Sequence, residues 1–276
     1  MNKSLTLISQ FWKVLDRKKS KNSINPQKLF TIRMFTRIIR YFWRFINFLK
    51  PNYGLSIFGI YLKKRNKDFT YKFCLYGYCG TFLADEIESI SSPTVFLDIG
   101  ANIGLFSLLA EKNENFVKIY AFEPDEKTIG YFMKNIEVNR AQRIELIPFA
   151  VSNEPGIHRL YLEEGHSGAS SLKKTDRSVS SYEIERIDFN YLNAHLYIPS
   201  NTSIFIKIDV EGHELNVLET LVKWSNFKYV NKIFLEFDIF MSNVVEMSSF
   251  LTLHGFSSHL KIGTSTHWDE LWLKSN

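Results

Sequence analysis

The chain has only two cysteines, Cys74 and Cys79, among 276 residues. Two are too few for a disulfide framework or a four-ligand zinc site, so they read as thiols of a reducing compartment. Seven prolines and 13 glycines exclude a collagen, and a hydrophobic content of 45% excludes a disordered chain. The first 67 residues almost lack acids. They hold 16 Lys/Arg against Asp16 alone, a charge of +15, whereas residues 68–276 hold 18 Lys/Arg and 28 Asp/Glu, a charge of −10. A basic head on an acidic body points to an anionic partner for the head and a separate task for the body. The length suits one large domain with an appendage.

A charge-free hydrophobic run of membrane-spanning length is also missing. The apolar stretch after Lys3 is short, broken by Gln10 and Lys13, and lacks a small-residue cleavage site, so no signal peptide is expected. Residues 29–49, LFTIRMFTRIIRYFWRFINFL, come nearest to a membrane segment. Pro26 and Pro51 bracket them as a helix, and Arg33, Arg37, Arg40 and Arg44 fall on one narrow stripe. Thirteen large apolar residues favour insertion by roughly 4–8 kcal/mol, and four arginines oppose it by ~10. Spanning loses. Residues 28–50 instead suit an anionic membrane surface, with aromatics in the acyl boundary and arginines at the headgroups; packing on the body or on a second subunit is the competing use. An arginine stripe also suits phosphates, but the interleaved aromatics look more like an interface than a nucleic-acid groove. The expected location is the cytoplasm, peripheral to a membrane, and the oligomeric state stays open.

Beyond this helical extension, residues 1–54, the pattern turns extended. Segments 55–62 and 69–76 flank a polar stretch and predict a hairpin, followed by a short helix over 81–90. Together residues 55–92 lead into a body spanning 93–276. There strands alternate with helices: strands 94–98, 117–122, 143–149, 203–209 and 230–237, with helices 103–111, 125–138, 213–223 and 242–253. Residues 151–162 suggest a further hairpin, 163–200 an irregular segment, and 255–260 and 268–274 two closing strands. The alternation predicts an α/β fold with a mostly parallel sheet covered on both faces.

Ligands in such folds bind at the carboxyl ends of the strands. The first strand ends Asp98-Ile99-Gly100-Ala101-Asn102-Ile103-Gly104. Its spacing is GxxxG, so the GxGxxG dinucleotide fingerprint is absent, which argues against a nucleotide-dependent oxidoreductase. A carboxylate at Asp98 repels a pyrophosphate and welcomes an ammonium or sulfonium. Glu123, held extended by Pro124, is placed to accept both ribose hydroxyls of an adenosine.

DIGANIG, AFEP, the paired Asn135 and Asn139, IPFAVSNEPG, GASSL, IKIDVEGHE and LEF occur in the order seen in FkbM-type S-adenosylmethionine-dependent methyltransferases. The chain resembles that family over about residues 94–240. The resemblance implies a Rossmann-like class I methyltransferase fold: a seven-stranded sheet with an antiparallel strand at one edge. It also implies S-adenosylmethionine as cofactor, with Asp98, Gly100, Asn102 and Gly104 around its methionine part, Glu123 at the ribose and Ala150, Val151 and Ser152 near the adenine.

In IKIDVEGHE, Lys207, Asp209 and Glu211 share one side of a strand and converge at its tip. Methyl transfer to a hydroxyl needs an oriented nucleophile and a proton acceptor. Asp209, Glu211 and His213 are candidates, with Glu236 on the neighbouring strand; a Lys207–Asp209 pair that merely shapes the pocket is the alternative. Asp209, Glu211, Glu236 and Asp238 are also oxygen donors suited to Mg²⁺, but nothing in the sequence fixes their geometry, and no metal is assigned. His166, Ser167, Ser170 and Ser171 lie in the segment expected to close over the pocket. The resemblance implies an O-methyltransferase acting on a small molecule, sugar, glycan or glycolipid. A membrane-associated scaffold that keeps the fold without catalysis is the alternative.

Overall fold

The computed structural model describes Phe45, Asn47, Phe48, residues 51–78 and residues 80–275. Most of the head, including all four stripe arginines, lies outside the described residues, as does Cys79. The three described positions before Pro51 are helical. A short hairpin follows, β1 (Tyr53–Leu55) against β2 (Tyr61–Lys63), with Gly54 opposite Leu62. Both of its strands lie before residue 64, and 69–76 is not the second one. That segment is helix α1 (Phe69–Tyr76). Its alternating aromatics suggest a strand, but Asp68 caps the first turn and Gly77 ends the last in the left-handed region at φ 60°. Local caps override β-propensity here. Helix α2 (Thr81–Ser89) comes next.

The body then runs β3 (Thr94–Ile99), α3 (Leu105–Lys112), β4 (Phe116–Phe122), α4 (Glu126–Asn139) and β5 (Ile144–Ile147). After an inserted segment it resumes with β10 (Ser203–Ile208), α6 (Glu214–Lys223), β11 (Val230–Asp238), α7 (Val244–Leu253), β12 (Phe256–Gly263) and β13 (His267–Lys274). These strands form one seven-stranded sheet in the order β12-β13-β11-β10-β3-β4-β5. The fold is α/β and Rossmann-like, as expected, with one correction. The antiparallel strand is not at the edge: β13 pairs antiparallel with both β11 and β12. A tight turn at 264–266 folds it back between them, leaving β12 outermost.

Strand alternation divides the core. Val95, Leu97, Ile99, Ile204, Ile206 and Ile208 pack on one face with Val217 and Leu218 of α6 and Met247 of α7. Phe96, Phe205 and Phe234 point the other way, toward Leu83 of α2 and Ala110 of α3. Each helix therefore buries one stripe against one sheet face.

The insertion differs most from the sequence pattern. Residues 150–187 build a second sheet, β6 (Ala150–Val151), β9 (Ser178–Ile187), β7 (Gly156–Glu163) and β8 (His166–Ser171), in that order. The hairpin expected over 151–162 does not form, because β6 and β7 both pair with β9 instead of each other. Nor is 163–200 irregular: it holds β8, β9 and α5 (Phe189–His195). The polar, Ser-rich sequence of β8 and β9 reflects a half-exposed sheet of its own.

Candidate active site

The chain leaves β3 to one side for β4 and β5 and returns to the other side for β10, so strand order reverses between β3 and β10. Their carboxyl ends meet there. A Cβ on Gly100, at φ 76°, would lie 1.9 Å from the Asp209 carbonyl oxygen, so only glycine admits this approach. Beside it opens a cavity of about 360 Å³, within the size range of ligand sites. One end is lined by Gly100, Asn102, Glu123, Phe149, Ala150 and Val151, and the other by Asp209, Glu211, His213, Glu236 and His267. The second sheet roofs it with His166, Ser167 and Ser170. Ser171 stands behind the wall, its hydroxyl donating to the Glu211 carbonyl at 2.8 Å.

Glu123 is built to receive donors. Its Oε2 accepts the Asn102 N–H and its Oε1 the Asp125 N–H, both at 2.8 Å. Burial first, and then the Asp125 charge, push its carboxyl up to about 7 against the help of those two N–H groups. Asn102 itself stands in the left-handed region at φ 50°, a conformation asparagine tolerates better than most residues.

Three expected cofactor residues do not reach the cavity wall. Asp98 is 0% exposed; its Oδ2 accepts from the Ser107 N–H and hydroxyl at 3.1 and 2.6 Å, and its Oδ1 lies 3.3 Å from Lys207 Nζ. It sits on the strand face that turns toward α3, beneath the floor. Gly104 opens α3 at φ 82°, where a Cβ would strike the Phe132 ring at 1.9 Å. Its work is turn and packing. Ser152 is buried and meets His213 Nε2 at 3.0 Å.

The acid end changes too. Lys207 does not line the cavity: its Nζ donates to the Gly100 carbonyl at 2.6 Å and pairs with Asp98 and Asp209 at 3.3 Å each. Burial opposes its charge, but Asp209 and Asp98 hold its ammonium above the ordinary lysine range. Burial pushes the His213 imidazole down to about 4, so it is neutral and engaged with Ser152. One oxygen each of Asp209, Glu211 and Glu236 lie within 4.8 Å of one another. Asp238 is not in this group; it turns to His267 Nδ1 at 3.3 Å. Burial, then Asp209 and Glu236, raise Glu211 to about 9, and burial with Asp209 raises Glu236 to about 8. Three carboxyls this close do not all ionise. Glu211 also takes a left-handed backbone at φ 52°, a strain of the kind found at functional sites.

His267 was not visible as a site residue in the sequence. It opens β13 and puts Nε2 2.7 Å from Glu236 Oε1; the Glu236 contact first, and Asp238 after it, raise its imidazole to about 9 despite burial. Only the antiparallel pairing of β13 with β11 brings it there. Asn135 and Asn139, by contrast, hold the hairpin: their side-chain oxygens accept the Lys63 and Tyr61 N–H groups at 2.6 and 3.0 Å.

A model of the FkbM methyltransferase domain matches residues 98–258. That is more than half of the chain, and it spans both ends of the cavity. The chain belongs to this family. Proteins of the FkbM family use S-adenosylmethionine. A curated relative, Methyltransferase 1 of Beauveria bassiana (strain ARSEF 2860), is 24% identical over 157 residues, covering 49% of this chain and 61% of the relative. The chain thus spans less than two thirds of that relative's length. Among solved structures, TrmK of M. capricolum with S-adenosylhomocysteine is 12% identical with a TM-score of 0.44, covering 71% of this chain and 68% of the other. Precorrin-6y C5,15-methyltransferase of Geobacter metallireducens GS-15 is 13% identical with a TM-score of 0.43, covering 71% and 87%.

Proposed function

We propose that this FkbM-family protein is an S-adenosylmethionine-dependent O-methyltransferase whose acceptor is a hydroxyl of a sugar, glycan or glycolipid. The observation that carries the reading is one cavity with two unlike ends: a doubly braced carboxylate at Glu123 and a three-carboxyl cluster at Asp209, Glu211 and Glu236. The fit to the cofactor rests on Glu123. Both its oxygens are oriented by backbone N–H groups and keep lone pairs for the two ribose hydroxyls. Phe149, Ala150 and Val151 line the same end and suit a flat base.

When bound, the cofactor supplies an electrophilic methyl group on a sulfonium. The protein's own part is to orient the hydroxyl and to take its proton. Asp209 suits that task best, because Lys207 at 3.3 Å concentrates the cluster's negative charge on it. Glu211, raised to about 9, holds a proton at neutral pH and donates a hydrogen bond to the acceptor. His267, with Nε2 2.7 Å from Glu236 Oε1, holds Glu236 in place. Phe73 and His166 line the cavity with ring centroids 6.0 Å apart, and Phe69 packs on His166 from outside the lining at 6.3 Å. They offer apolar surface to a ring whose hydroxyls face the acids. The test is transfer of labelled methyl to a panel of glycosides and glycolipids, with amines and catechols as controls. Labelling of amines alone would remove the O-methyl assignment.

We infer further that the head places the enzyme on an anionic membrane surface. Among the described residues no helix is long and apolar enough to cross a membrane. Phe45 and Phe48 are 60% and 80% exposed, while Asn47 between them is buried and holds the Leu55 N–H at 2.6 Å. Together with the arginine stripe, this supports a helix tied to the body by one side and offering aromatics on another.

A further inference from the structure

Residues 61–76 precede the stretch that the family model matches, 98–258, yet α1 puts Thr70 and Phe73 into the cavity wall. Asp68 joins α1 to the roof. Its Oδ1 accepts the Tyr71 N–H at 2.8 Å and so caps the helix, and Arg65 Nε lies 3.2 Å from its Oδ2. The same carboxylate crosses to β8, where Oδ2 accepts the Ser167 N–H at 3.0 Å and Oδ1 lies 3.2 Å from the Ser167 hydroxyl. On either side of it, Phe69 N–H donates to the Gly165 carbonyl at 2.7 Å, and Gly168 N–H to the Thr70 hydroxyl at 2.8 Å.

Capping needs one short acceptor, which serine, threonine or asparagine supplies as well. A carboxylate only 3% exposed that gathers four donors, two of them from a strand 99 residues away, does more than cap. Beyond Ser167 the contacts continue. The Ser167 hydroxyl also lies 3.3 Å from Asn102 Oδ1, so its one proton serves Asp68 or Asn102, and the Asn102 N–H donates to Glu123 Oε2 at 2.8 Å.

We propose that Asp68 is a positioning residue of the cofactor pocket: it fixes Ser167 against Asn102, and so holds the N–H that orients Glu123 toward the ribose. This rests on the assignment of Glu123 to the cofactor. The segment before the family domain thereby completes the pocket.

The test is calorimetry with S-adenosylhomocysteine on the full chain, using wild type, Asp68→Asn, Ser167→Ala and the double variant. Asp68→Asn retains an amide oxygen for the cap. Each single variant should raise Kd about tenfold, the scale of one lost buried polar contact. The double variant should lose no more than either single one, because both act through one link. A purely structural role lowers the melting temperature and leaves Kd, measured well below melting, unchanged. Unchanged affinity in Asp68→Asn, or losses that add fully in the double variant, overturns the proposal. If Asp68→Asn does not fold, unchanged affinity in Ser167→Ala overturns it equally. Failure of wild type to bind S-adenosylhomocysteine is a different result, and removes the cofactor assignment together with this one.

Discussion

Lys207 and Asp98 are register partners on the adjacent parallel strands β10 and β3, and their side chains meet at 3.3 Å with 2% and 0% exposure. Neither touches the cavity, yet the pair stands under both of its ends. Lys207 reaches Gly100 and Asp209 as well, so one ammonium ties the first strand's turn to the acid cluster. Removing it leaves two carboxylates facing each other with no cation. Lys207→Met should therefore cost about 3–5 kcal/mol of stability, read as an earlier urea midpoint. Asp98→Asn combined with Lys207→Met should recover part of that loss, and a double variant less stable than Lys207→Met alone would count against the pairing.

Glu123→Ala should weaken S-adenosylhomocysteine binding by roughly 1.5–3 kcal/mol, about tenfold or more. The carboxyl stands at about 7 in the ligand-free protein, and hydroxyl donors favour its ionised form. Affinity in wild type should then fall as pH drops from 8 to 6, while Glu123→Gln should be flat over that window. Calorimetry at three pH values decides this.

The strand tips were legible in the sequence because glycines, acids and a proline mark them: Gly100, Glu123-Pro124 and Asp209 lie where the pattern placed them. What the tips point at was not. Asp98 and Lys207 face away from the cavity because of strand parity in three dimensions, which a motif does not reveal. His267 carries no local signal, since a register between β13 and β11 brings it to Glu236. The aromatic, alternating sequence of helix α1 suggests a strand, and the caps at Asp68 and Gly77 outweigh that preference.

Asp209 and Glu211 should behave differently when neutralised. At pH 7 Glu211, near 9, already carries a proton, and Gln imitates that form. Glu211→Gln should keep most of the turnover at pH 7. Asp209→Asn removes the charged acceptor and should lower kcat about 10²–10⁴-fold, with S-adenosylhomocysteine affinity nearly unchanged. Equal losses in both variants would mean that the proton goes elsewhere.

The head is tested by charge reversal. Arg37→Glu with Arg40→Glu should abolish flotation with anionic liposomes, since each arginine near such a surface contributes about 1 kcal/mol. Binding of wild type should weaken with salt. Cofactor binding in the body should not change. Salt-insensitive retention of the double variant on liposomes would argue that the head packs on protein instead.

The acid cluster also sets how stability depends on pH. Glu211 is raised to about 9, and Asp269 and Glu123 to about 7, chiefly by burial, while Glu236 and His267, 2.7 Å apart, hold one proton between them. Each raised group binds its proton more tightly in the folded chain than in the unfolded one. Its contribution is full below the unfolded value and is lost as pH rises through the folded value. His213 works the other way, lowered to about 4, but its contribution is complete above its unfolded value of 6.5. Lys112, lowered to about 8 by burial, adds stability only as pH rises past that point. Between pH 6.5 and 8 all the acid-end groups pull one way, so the ligand-free protein should melt at a lower temperature at pH 8 than at pH 6.5. Glu211→Gln carries no titrating carboxyl and should flatten that slope. A wild-type melting temperature that climbs across the window would show that the cluster is solvated or neutralised by another partner.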